Sequence, residues 1–163
     1  MNREVLKYLE AERVAPRETT GPWVIDGYSL ATHPDLCDRL NEMNAAAGEP
    51  AASEYRYGKP VLVASNGVIV AFAGGTYVLC LRLHRDEVDP RLVGRKREAA
   101  SKNPLLLRKQ EQLDSLIAWE WTWIDPWPVD VPKDEGLPLL ASALQRAVEN
   151  ATGGNPSRPA DNA

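Results

Sequence analysis

A chain of 163 residues with 44% hydrophobic and 26% charged side chains has enough apolar surface for one core without staples, and its composition is that of a soluble globular domain. A net charge of −4 excludes a molecule that grips nucleic acid through overall basicity, and two cysteines exclude a disulfide framework. No apolar run nears the ~20 residues that span a bilayer, and the start M-N-R-E-V-L-K-Y-L-E lacks a signal peptide's apolar centre, so a cytoplasmic protein is expected.

In chain order, residues 2 to 14 predict a short amphipathic helix, with Asn2 as N-cap, Val5, Leu6 and Leu9 on one face, and Pro16 as its stop. Trp23 to Leu30 reads W-V-I-D-G-Y-S-L, and Asp26-Gly27 offers either a small hairpin or an irregular strand pair. Thr32, three residues before Asp35, resembles a capping arrangement, and Pro34 suits a first helical turn. Leu36, Leu40, Met43 and Ala47 then line a helix ending at Gly48, and Tyr55 to Tyr57 predicts an edge strand.

Three strand-length runs follow, Val61 to Ala64, Val68 to Phe72 and Tyr77 to Leu83. Asn66-Gly67 and Gly74-Gly75 are the turn pairs between them, so the runs form an antiparallel meander. The second run is apolar throughout and predicts a central strand covered on both faces. In the third, Tyr77, Leu79, Leu81 and Leu83 share one face, against Val78, Cys80 and Arg82.

His84 to Ser101 is polar and aperiodic, and is expected to be a long excursion from the sheet. Asn103 and Pro104 open a helix carrying Leu105, Leu106, Leu113, Leu116 and Ile117. Trp119, Trp121 and Trp123 then alternate with Glu120, Thr122 and Ile124, which predicts a strand whose Glu120–Thr122 side is wet. A last helix begins near Pro138 and sets Leu140, Ala141, Leu144 and Val148 in one stripe. Residues 1–150 are expected to be one α+β domain: an antiparallel sheet of about five strands in two layers with N- and C-terminal helices. Residues 151–163 have too little apolar surface to order and are expected to form a disordered tail.

The stretch Tyr57-Gly58-Lys59-Pro60, the N-G turn after V-L-V-A-S, and a Trp-rich strand ending in D-P-W-P before an amphipathic helix resemble the TfoX N-terminal and YjbR (MmcQ)-like small bacterial domains. The resemblance covers about Leu36 to Val148 and implies an α+β fold, no catalytic constellation, and a role in DNA-associated regulation or protein binding.

Chemistry-bearing motifs are sparse. The chain has no G-x-S-x-G elbow, phosphate loop or dinucleotide fingerprint. His33 with Cys37, and Cys80 with His84, form mirrored i, i+4 pairs of the residue types that hold zinc. Residues i and i+4 meet on a helix but stand about 13 Å apart along a strand, so buried cysteines and surface histidines are expected, with neither metal nor cofactor. Asp86, Glu87 and Asp89 read as a solvated cluster without matched partners.

Two features point to partners. Trp119, Trp121 and Trp123 set three indoles on one side of a strand, to fill a core or to stack on a ligand. From Arg82 to Lys109, nine basic residues face four acidic ones, and Arg95, Lys96 and Arg97 form the centre of that segment. The expected function is a non-enzymatic binding domain, a bacterial regulatory adaptor for a protein partner. The alternatives are a weak nucleic-acid-associated factor using segment 82–109 and a small-molecule enzyme with a pocket near the Trp strand.

Overall fold

The computed structural model describes residues 2–11, 23–25, 28–30, 32–75, 78–93 and 120–153. The helix expected from Asn103 lies outside them. Helix α1 spans Arg3–Ala11, and strands β1 (Trp23–Ile25) and β2 (Tyr28–Leu30) pair antiparallel, with Asp26 and Gly27 between them outside the described residues. Helix α2 (Pro34–Ala46) leads into β3 (Ala51–Arg56), β4 (Lys59–Ala64), β5 (Ile69–Gly74), β6 (Val78–Leu81) and β7 (Thr122–Trp123), and α3 (Gly136–Thr152) closes the fold. The five strands form one antiparallel sheet in sequence order, with β5 at its centre. The fold is therefore α+β, a meander packed against N-terminal and C-terminal helices. None of the described helices is long and apolar enough to cross a membrane.

Period-2 alternation gives the sheet two buried faces. Leu62, Val70, Leu79, Leu81, Leu83 and Ile124 pack under α2 and α3, joined by Leu36, Leu40, Leu140 and Leu144. On the opposite face Val61, Ile69, Phe72, Val78, Cys80, Trp121 and Trp123 meet Val5 and Leu9 of α1. A register shift opposite Leu62 and Val63 lets Val70 and Ala71, neighbours in sequence, both enter the helix-side core. The alternation expected for Val78 to Leu83 holds, with Arg82 buried among the α1-side residues.

Several local expectations change because side chains are spent on tertiary contacts. Asn2 does not use its side chain to cap α1: its amide donates to Gly67 O at 2.7 Å and its oxygen accepts from Ile69 N at 2.8 Å. His33, not Thr32, caps α2, its Nδ1 accepting from Asp35 N, while the Thr32 hydroxyl donates to Ala73 O. Asn66 reaches Ala151 O and accepts from Val68 N, leaving the positive φ of that turn to Gly67. The two-residue hairpin turn is instead Tyr57-Gly58, where φ is 54° and 77°.

Segment 84–93 is no free excursion. Two 3-10 turns, Arg85–Glu87 and Pro90–Leu92, carry Val88 and Leu92 into the core, and Val93 bridges Ile124. Helix α3 also runs past position 150: Ala151 and Thr152 are helical, and Gly153 at φ 63° ends it. The disorder expected from 151 is therefore overturned for Ala151, Thr152 and Gly153, and residues 154–163 lie outside the described ones.

Candidate functional site

The Trp strand is shorter than its alternation suggested. Among the described residues only Thr122–Trp123 joins the ladder, opposite Leu81 and Cys80, because β6 turns away at Arg82–Leu83, where Leu83 N bonds Leu81 O. Trp121 and Trp123 are buried in the α1-side core, Trp121 with its ring centroid 5.1 Å from that of Phe72, so neither indole is presented to a partner. The side expected to be wet is so only at Glu120, which is exposed: Thr122 is buried with its hydroxyl on Leu83 O, and Ile124 lies in the helix-side core. The second, larger core under α2 and α3 is what the strand's polar letters concealed. Trp119 and the basic cluster Arg95, Lys96 and Arg97 lie outside the described residues.

The zinc candidates are not brought together. Cys80 sits wholly buried on the α1 face, and Cys37 is buried on α2. His33 and His84 do the same local work at two places, each Nδ1 accepting from the backbone N–H two residues on, at Asp35 and Asp86. Among the described residues no group of three or more His, Cys, Asp or Glu is arranged to hold a metal ion. Burial raises the Cys37 thiol to about 11, with Asp38 adding to it and Tyr55 opposing, and burial raises Cys80 as well. Neither supplies a thiolate nucleophile near neutral pH.

A cleft of about 200 Å³ opens at the end of β6, lined by Arg82, Leu83, His84, Glu87, Glu120, Asn150 and Ala151. Arg82 forms its base, 6% exposed, with Nε donating to Ile69 O at 2.7 Å and its guanidinium 4.7 Å over the Trp121 ring. Burial lowers its pKa and Glu120, 3.4 Å away, works against that. Glu87, expected to lack partners, accepts from Arg146 Nε and Asn150 Nδ2, while Asp89 pairs with Arg91. The cleft is smaller than the ~300–1,000 Å³ of ordinary small-molecule sites, and both of its carboxylates are engaged, Glu87 in pinning the 84–93 segment to α3 and Glu120 in pairing with Arg82.

Among the described residues four large apolar side chains are exposed: Tyr55 and Tyr57 at the β3–β4 hairpin, and two more at positions the sequence reading did not single out. In the loop between β7 and α3, Trp127 is 48% exposed and Val129 is 78% exposed. Arg39 of α2 holds this loop: its Nε donates to Pro126 O at 2.8 Å, and its guanidinium lies 5.9 Å from the centroid of the Trp127 ring. Pro126 and Pro128 restrict the backbone on either side of Trp127, and Pro128 packs close to Gly136 at the start of α3. The D-P-W-P letters carried the signal, an indole fenced by prolines, but they read equally well as the end of a strand.

No family model, no curated protein and no solved structure matches the chain, so neither the TfoX-like resemblance nor the role it implies gains support from kinship.

Proposed function

We propose that the protein is a non-enzymatic binding domain whose partner is another protein, engaged through the Trp127–Val129 loop. The observation that carries this reading is a half-exposed indole held in place by Arg39 and flanked by prolines. Trp and Arg are the residue types that dominate binding hot spots, and a rigid loop loses little entropy on docking. Both apolar side chains are exposed, so the fitting partner offers an apolar pocket for the indole and Val129. The cleft at Arg82 supports no catalytic role of comparable weight, since its histidine caps a turn and its Glu87 is tied to α3.

The test is site-specific photo-crosslinking. A benzophenone amino acid at position 127 is expected to trap one protein in the native cell, identified by mass spectrometry and then purified. Trp127→Ala should weaken binding to that purified protein by at least about thirtyfold, as expected for a hot-spot indole worth ~2 kcal/mol, with the unfolding midpoint unchanged. An isolated partner that binds Trp127→Ala and the parent chain equally would sink the reading.

A further inference from the structure

The Trp127 loop is set among acids. Arg39, which holds the loop through Pro126 O, has Asp35 and Glu42 one helical turn to either side along α2, and Asp38 as its chain neighbour. All three are exposed, Asp35 by 73% and Glu42 by 53% of their side chains. The start of α3 closes in from the other side: a Cβ on Gly136 would meet Pro128 Cγ at 3.7 Å and Arg39 Nη2 at 3.8 Å, so Asp134 and Glu135, both exposed, border the same patch. Residues 125–136 hold four acids and one lysine, and α2 holds three acids and one arginine, net −3 and −2 against −4 for the whole chain. The excess negative charge is gathered around the indole.

Helix capping does not account for the acids at α3, because Glu135 stands at its start without giving it a side-chain bond. Glu135 lies near Arg91, but that guanidinium is already held by both carboxylate oxygens of Asp89. On α2, Glu42 pairs with Arg39 at 3.1 Å and so belongs to the brace of the loop. Asp38, Asp134 and Glu135 face water, where a partner can reach them.

An exposed indole beside an exposed valine can enter a lipid interface, stack on a nucleobase or fill a protein pocket. The acids decide among these, since anionic headgroups and phosphates are repelled by a surface of their own sign. A second copy of this chain is disfavoured as well, because a two-fold contact would set the acidic rim against itself. We propose that the partner surface is basic: an apolar pocket for Trp127 and Val129, rimmed by lysine and arginine. This rests on the reading of the Trp127 loop as the binding surface, and adds the chemistry of what meets it. The indole is the buried anchor, and the rim charges act chiefly on the association rate and its dependence on salt.

The test is selection from a library of disulfide-closed random peptides against the full chain. Two variants run alongside, Trp127→Ala and the triple change Asp38→Asn, Asp134→Asn and Glu135→Gln, each checked by thermal unfolding. The expected result is enriched rings rich in Lys and Arg that bind either variant at least about tenfold more weakly than the parent chain, and that weaken as salt rises from ~50 to ~500 mM. If the triple variant unfolds, Asp38→Asn alone takes its place, with a loss of about threefold expected. Rings that need Trp127 but carry no excess of Lys and Arg, or that bind the acid-neutralised chain as well as the parent, overturn the proposal and leave the Trp127 reading standing. Rings that bind Trp127→Ala as well as the parent chain tell against both, as does a library that yields none. Phosphatidylserine vesicles or a single-stranded oligonucleotide bound through Trp127 would also overturn it. So would rings that bind only after Arg95, Lys96 and Arg97 are changed together to Ser, which would make the chain's own basic segment the occupant.

Discussion

Arg82 shows how a single buried charge is tolerated. Its guanidinium is desolvated by the α1-side core, and the cost is offset by Ile69 O, by Glu120 and by the Trp121 face beneath it. Trp121 therefore serves twice, filling the core against Phe72 and supporting the cation. Trp121→Ala should destabilise by roughly 3–5 kcal/mol, the range for large aromatic truncations. Urea unfolding measures it, and a loss below about 1 kcal/mol would mean that the indole is not core. Cys80 and Cys37 illustrate the opposite case, residues whose types suggested a metal while their burial makes them small hydrophobes.

Among elements, α1 is attached to the sheet at both of its ends. Asn2 bonds Gly67 and Ile69 at its start, and near its end Lys59 donates to Leu9 O at 3.0 Å, a cation placed where the helix dipole is negative. Lys59 belongs to the Y-G-K-P stretch that carried the family resemblance, so at least this letter of it has a structural task. Asn2→Ala would strand the buried Ile69 N–H at a cost of about 1–3 kcal/mol and loosen α1. Hydrogen exchange should show the α1 amides losing protection while β5 keeps its own; equal protection in both proteins would show that the Lys59 contact suffices. The outline of α1 was legible in the spacing of Val5 and Leu9, but the use of Asn2 was not, because its partners lie more than 60 residues away.

For the molecule as a whole, the joint between the 84–93 segment and α3 links the late chain to the C-terminal helix. Hydrogen bonds from Asn150 and Arg146 hold the Glu87 carboxyl below its ordinary 4.5. With the folded value below the unfolded one, this stabilisation is complete above about pH 4.5 and is lost as pH falls through the depressed value. Glu87→Gln should therefore lower the melting temperature at neutral pH, and the gap to the parent protein should close in more acidic buffer. A gap that stays constant across that range would assign the effect to packing.

The meander, its order, its central strand and the helices at both ends followed from local chemistry: strand-length apolar runs, turn residues between them, and 3.6-residue stripes. These are properties of neighbours in the chain, and neighbours are visible in a sequence. Which face of the Trp strand was wet, which side chain capped α2, and whether Glu87 had a partner depended on groups that only folding brings together. Trp127 and Trp121 have the same side chain six positions apart, yet one is exposed and the other buried. The difference is a strand end and two prolines that carry the chain out of the core after Ile124, and burial of that kind is decided by packing in three dimensions, not by residue type.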